Sequence, residues 1–278
     1  MKKTTKFFIC AGILFWLTAL LFATLYDLDI TIAIASEDSI YGRIFEVLGE
    51  IPAVLFTSFN FALMAVYFVK CTAFRGKNKL LAVLTFIGCA GTAIFSTVKT
   101  AKYIFGSPLH LLFVIYAAAI GLAISFGFVL LSTFIGEDSL KKYFRTATSC
   151  AIAAILTFVI IWAFKLTWGR VRPRQLELGG GYFAYTPWYL PRGFTGHFSF
   201  PSGHTANATV IFSVVYYFRF LGGKVKKLIP FFYAVLAVWL ALVAFSRVVV
   251  GAHFLSDVLF GCAITLAIVY FARPRKDI

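Results

Sequence analysis

SRVVVGAHFLSD, residues 246–257, joins the end of one long apolar run to the start of the next, and its few polar residues are closely spaced. Arg247 and His253 flank a short turn that contains Gly251, and Asp257 lies four residues past His253. With a helix starting near Ala252, the imidazole and the carboxylate share one face a turn apart. A carboxylate that accepts from one imidazole nitrogen fixes the tautomer and leaves the other nitrogen free to attack or to bind. Taken alone, the pattern reads equally well as an ion pair tying two helices together.

The apolar runs on either side are representative of the whole chain. Of its 278 residues 61% are hydrophobic and only 13% charged, with a mean hydropathy of +0.89. Such a composition excludes a soluble globular domain and points to an integral membrane protein. The net charge of +15 does not argue for nucleic acid. Basic residues at the ends of apolar spans set topology and meet anionic lipid headgroups, so the bilayer is the expected partner. Cys10, Cys71, Cys89, Cys150 and Cys262 are scattered in or beside apolar runs with no CxxC, and read as packing residues rather than disulfides or metal ligands.

Runs long enough to cross a bilayer occur at 7–26, 51–69, 80–98, 110–135, 146–164, 205–221, 228–246 and 253–272. The expected fold is an all-α polytopic bundle of about eight transmembrane helices, since a spanning segment must satisfy its own backbone hydrogen bonds. The first run, Phe7 to Tyr26, lacks a persuasive small-x-small cleavage site before Asp27 and is expected to be a retained span rather than a signal peptide. With both termini cytoplasmic, most Lys and Arg fall on the inner side, including Lys70–Lys79, Lys141–Arg145, Arg219–Lys227 and Arg273–Lys276. The stretch 27–50, with Asp27, Asp29, Glu37, Asp38, Glu46 and Glu50, is expected as an acidic outer loop. The same parity puts Lys165, His204 and His253 together on the extracytoplasmic face. Residues 1–140 carry no catalytic motif, and 141–278 are expected to form the chemical core.

Two further clusters lie in that core: KLTWGRVRP at 165–173 and PSGHT at 201–205. With 246–257 they match KxxxxxxRP, PSGH and SRxxxxxHxxxD in order. The set resembles the signature of the type 2 phosphatidic acid phosphatase family, also called the lipid phosphate phosphatases, over roughly residues 140–272. PSGH alone recurs by accident; three motifs in order on one membrane face are specific.

Phosphate-ester hydrolysis needs cations and oriented N–H groups around the phosphoryl oxygens, an in-line nucleophile and an acid for the leaving oxygen. Lys165, Arg172 and Arg247 provide the cations, and the arginine forks suit phosphate geometry. Pro201, Ser202 and Gly203 read as a first helical turn whose N-terminus favours an anion; Ser202 adds a hydroxyl and Gly203 lets the anion approach the backbone. His253, backed by Asp257, is the expected nucleophile giving a phosphohistidine. His204 is the expected general acid, later the base for water. The resemblance implies the same division of labour with no metal or other cofactor, and no outer cluster of carboxylates suits magnesium.

Arg170 and Arg174 either widen the positive field or face solvent and headgroups. His197 reads as a loop hydrogen-bonding residue, His110 as interfacial, and Glu177 receives no role. Tyr182, Phe183, Tyr185, Trp188, Tyr189 and Phe194 are either an aromatic lid over the site or a packed outer loop. The expected activity is hydrolysis of a lipid phosphomonoester or diphosphate at the outer face of the cytoplasmic membrane. The resemblance implies polyprenyl diphosphate, phosphatidylglycerol phosphate, phosphatidic acid or a lipid A phosphate as substrates. Alternatives are a lipid phosphotransferase using the same site, a phosphatase for soluble sugar phosphates, and a non-catalytic carrier of phosphate lipids. Vanadium haloperoxidases share the motif set, but their soluble character fits this composition poorly.

Overall fold

The computed structural model describes residues 3–176 and 184–274. Among these residues every regular element is helical: α1 (Lys3–Ile34), α2 (Ile40–Leu48), α3 (Ile51–Lys70), α4 (Gly76–Phe105), α5 (Leu111–Thr133), α6 (Glu137–Trp168), the single turn α7 (Pro173–Leu176), α8 (Gly203–Val210), α9 (Ile229–Val249) and α10 (Leu255–Ala272). Among the described residues, seven helical stretches are long and apolar enough to cross a membrane. Leu14, Phe15, Phe126, Phe231 and Phe271 are among many large apolar side chains left exposed, as a lipid-facing surface requires. The protein is a multi-pass helical membrane protein.

The expected span at 205–221 is where the structure departs from a uniform set of eight. It begins as α8 and continues as 3-10 helix over Ile211–Phe220, so it is not one of the seven apolar α-helical stretches. Pro201 is not its first helical residue either. Ser202 is the N-cap, with its hydroxyl accepting from the Thr205 amide. The stretch 27–50 is not an open acidic loop. α1 kinks at Tyr26 and runs on to Ile34, and α2 follows with Ile40, Ile44 and Leu48 exposed and Gly42 buried.

α3 is the central post, with α4 and α6 packed on it from either side. Its inward residues Ala53, Ser58, Ala62 and Ala65 are small, which lets neighbouring backbones approach, and Ser58 donates to the Cys89 carbonyl on α4 at 2.8 Å. α8 is enclosed by α3, α6, α9 and α10. Where α10 crosses the start of α8, a Cβ on Gly261 would fall 2.6 Å from the Ser202 carbonyl, so only glycine permits this approach. All five cysteines are free.

The chemistry gathers at one end of this bundle. Lys165 closes α6, His204 opens α8, Arg247 closes α9 and His253 precedes α10, while the basic stretches around Lys70, Lys141, Arg219 and Lys226 sit at the opposite ends of their helices.

Candidate active site

The turn that led the sequence analysis folds differently from expectation. Gly251 adopts a left-handed φ of +61°, and the amides of Ala252 and His253 both donate to the Arg247 carbonyl. α10 therefore starts at Leu255, not near Ala252, and His253 stands before the helix rather than on its face. Asp257 occupies the third helical position and accepts from the Phe254 amide at 3.0 Å. The two side chains still meet, with Nδ1 of His253 3.6 Å from Oδ2 of Asp257, just outside hydrogen-bond range. Both are buried.

Asp257 is held by more than its histidine. Oδ2 accepts from Ser199 Oγ at 2.6 Å, and Oδ1 accepts from Arg170 Nη1 at 2.6 Å. Arg170 is 1% exposed, so it neither faces solvent nor offers its fork to the cavity. Its Nη2 donates to Asp27 at 2.9 Å, and Asp27 in turn takes the amide and hydroxyl of Ser256. The guanidinium stacks on the Phe254 ring 4.0 Å from its centroid. A residue just past the kink in α1 thus reaches the start of α10 through one arginine.

His204 also has a carboxylate, from a segment with no motif. Its Nδ1 lies 3.6 Å from Oε1 of Glu50, the residue that opens α3. Glu50 is buried, pairs with Lys99 of α4, and accepts from Asn207 at 2.8 Å. On the other side of the ring, Nε2 is 3.2 Å from the Glu46 carbonyl.

Both histidines line a cavity of about 1060 Å³ whose polar end also includes Lys165, Arg172, Arg174, Gly203 and Arg247. Lys165 is buried and donates to the Phe198 carbonyl at 2.7 Å. A side chain at Gly203 would meet Lys165 Cε at 3.5 Å, so glycine leaves room beside the ammonium. Arg247 is 1% exposed and held by the Gly42 carbonyl at 3.2 Å and Glu46 at 3.4 Å. Arg174, 3.6 Å from the same carboxylate, joins this rim. Ser202 is fully buried under the cavity wall, its hydroxyl engaged with Thr205, and does not line the cavity. Burial holds the His253 imidazole well below its ordinary pKa; Asp257 opposes this, and Lys165 and Arg172 reinforce it.

Away from this end the cavity wall is mostly apolar. Val54, Phe61, Ile94, Val98, Phe158 and Ile161 line it, and it lies between α4 and α6 over the face of α3. From Glu50 to Phe61 along α3 is about 16 Å at 1.5 Å per residue.

The aromatic loop packs away from this cavity. Trp188 donates to Thr24 at 2.9 Å and stacks near Phe260, and Tyr185 lies against Phe254. Tyr189 and Phe194 are exposed. Glu177, Tyr182 and Phe183 lie outside the described residues. His110 caps α5 through its ring nitrogen, and His197 is in a loop turn with Thr195.

In the sequence Asp27, Glu46 and Glu50 carry no motif and read as part of a solvated acidic loop. The available signal is their proximity to apolar runs, where a carboxylate is costly unless paired.

Residues 142–275 match the PAP2 superfamily. Over 92 residues the chain is 38% identical to the protein named Phosphatidylglycerophosphatase B of Bacillus subtilis (strain 168), a stretch covering 31% of this chain and 43% of that one. The chain therefore matches less than half the length of this curated relative. No solved structure matches the chain.

Proposed function

Because residues 142–275 belong to the PAP2 superfamily, we propose that the protein is a lipid phosphatase that removes phosphate from a lipid phosphomonoester or diphosphate through a phosphohistidine. The observation that carries this is the convergence of two buried, carboxylate-backed histidines and three cations, Lys165, Arg172 and Arg247, on one cavity with an apolar extension. Simple phosphate binding needs the cations but not two carboxylate-backed histidines. A soluble sugar phosphate needs the polar end but not the apolar groove.

The phosphoryl group sits among Lys165, Arg172, Arg247 and the first turn of α8, where charge-assisted donors neutralise its oxygens. Nε2 of His253, on the ring edge away from Asp257, attacks phosphorus as the bond to the leaving oxygen breaks, and His204 gives that oxygen its proton. Water then attacks the phosphohistidine, passes its proton to His204 and releases orthophosphate as the P–N bond breaks. Arg170 and Asp27 hold Asp257 in place without touching substrate. No step calls on a metal: the cationic side chains supply the charge. The site is assigned to the extracytoplasmic face, supported by the basic stretches at the other end of the bundle. The relative's name favours phosphatidylglycerol phosphate within the substrate class, alongside polyprenyl diphosphate, phosphatidic acid and lipid A phosphates.

The test is phosphate release by the detergent-purified protein in EDTA, from a panel of these lipid phosphates and glucose 6-phosphate, beside His253→Ala. Turnover of a lipid phosphate by the wild type alone is expected. Equal release by both proteins removes His253 as nucleophile, and preference for glucose 6-phosphate removes the lipid assignment.

A further inference from the structure

On this phosphatase reading, we infer that Glu50, with Lys99 fixing it, is the positioning carboxylate of the acid histidine His204, so that the amino-terminal helices complete the catalytic pair. The two histidines are treated alike. His253 has Asp257 at 3.6 Å from Nδ1, and Asp257 is pinned by Arg170; His204 has Glu50 at 3.6 Å from Nδ1, and Glu50 is pinned by Lys99. One carboxylate comes from the motif that carries its histidine. The other comes from α3, more than 150 residues upstream, outside the matched region 142–275.

Several features make this more than proximity. Glu50 is buried at the helix start, where it is desolvated and its charge needs partners. Those present are Lys99, the Asn207 amide and the His204 ring. Asn207 follows His204 by three residues on α8, so Glu50 grips the same helical turn at two points. In the imidazolium form one proton sits on Nδ1, toward the carboxylate, and the other on Nε2, the nitrogen 3.2 Å from the Glu46 carbonyl. That proton passes to the leaving oxygen as the P–O bond breaks. Glu50 touches neither phosphorus nor the leaving group; it acts by fixing the ring and by opposing the burial that, with Arg247 and Lys99, pushes the imidazole pKa down to about 3.

An acid catalyst matters in proportion to the basicity of its leaving group, and this separates positioning from structural support. Glu50→Gln keeps the size and the bond to Asn207 but removes the charge. The double variant Glu50→Gln/Lys99→Met avoids leaving the partly buried Lys99 ammonium unpaired. For each, kcat/KM is measured with an alkyl phosphate lipid, whose alkoxide leaving group needs a proton, and with p-nitrophenyl phosphate, whose leaving group does not. Only steps up to leaving-group release enter kcat/KM, so the later use of His204 as base is not counted.

The expected result is a loss of about 10²-fold for the lipid and a loss at least about tenfold smaller for the aryl ester. Adding Glu50→Gln to His204→Ala should then lower neither substrate further. Equal losses for the two esters, no loss for either, or a further loss in the His204→Ala background would each overturn the assignment. Hydrolysis of neither ester by the wild type would instead overturn the phosphatase reading on which it rests.

Discussion

Arg170 Nη1 lies 2.6 Å from Oδ1 of Asp257, with both side chains almost fully buried. The arginine sits inside the KxxxxxxRP segment, at a position the motif leaves open, and turns away from the phosphate site to join α1 to α10 through Asp27. Removing one partner from a buried charge network strands the others, at about 3–5 kcal/mol. Arg170→Ala is therefore expected to lower the unfolding temperature sharply and to abolish activity with it. Arg170→Lys should fall between, because an ammonium cannot fork to both carboxylates. Thermal unfolding of the detergent-solubilised variants checks this, and a fully stable Arg170→Ala protein would show that the network does not hold the fold.

Arg172 and Arg247 both line the cavity but differ in what else they hold. Arg247 bonds the Gly42 carbonyl and Glu46, tying α9 to α2. No ion pair engages Arg172 among the described residues, and its side chain is half-buried. Losing a charge-assisted bond to phosphate weakens binding by about 1.5–3 kcal/mol, roughly 10- to 100-fold. Arg172→Ala is expected to raise KM by that order with an unchanged unfolding temperature. Arg247→Ala should raise KM and lower the unfolding temperature together. Kinetics and thermal unfolding on the same two proteins distinguish the roles; a destabilised Arg172→Ala would place it in the scaffold.

Local pattern carried most of the fold. The span expected at 228–246 appears at Ile229–Val249, and that at 253–272 at Leu255–Ala272. Apolar length is a property of consecutive residues, and a bilayer demands it. The motif histidines and cations were legible for the same reason, being short fixed spacings. The partners of those groups were not. Glu50 meets His204, and Asp27 meets Arg170, across more than 140 intervening residues that no local periodicity reports. Arg170 read as one more cation in a basic segment, since only its burial between two carboxylates reveals its work. Ser202 read as a phosphate donor, yet its hydroxyl caps α8.

The protonation of His253 gives a pH prediction. Burial lowers its pKa, with Lys165 and Arg172 acting in the same direction and Asp257 against it. The neutral imidazole is the attacking form, so it stays competent as pH falls through the ordinary histidine value of about 6.5. The acid limb of kcat/KM is expected below about pH 6.5. The linked stability change has the same origin. The unfolded chain takes up a proton near about pH 6.5 that the folded chain refuses, so stability declines as pH falls below that value. In His253→Gln this part of the decline should vanish, which thermal unfolding between about pH 7 and pH 5 would reveal. An acid limb above about pH 6.5 would contradict a neutral, buried nucleophile.

The apolar groove makes a prediction about chain length. Gly91 on α4 lines it, and a Cβ placed there meets no atom within 4 Å. Its φ is not in the left-handed range, so a larger side chain is tolerated by the backbone. Gly91→Phe therefore puts a ring into open space rather than into a packed helix contact, and the fold should keep its unfolding temperature. A lipid tail lying in the groove would then meet the ring, and overfilling an apolar site opposes binding by about 1–3 kcal/mol. For lipid phosphates with long chains, kcat/KM is expected to fall about tenfold. A short-chain homologue and p-nitrophenyl phosphate, which end near Lys165 and the histidines, should retain their rates. Comparing the three substrates with wild type and Gly91→Phe isolates the groove from the chemistry. Equal losses across all three would mean that the ring disturbs the phosphate end, and equal retention would mean that the tail stays in the bilayer throughout the reaction.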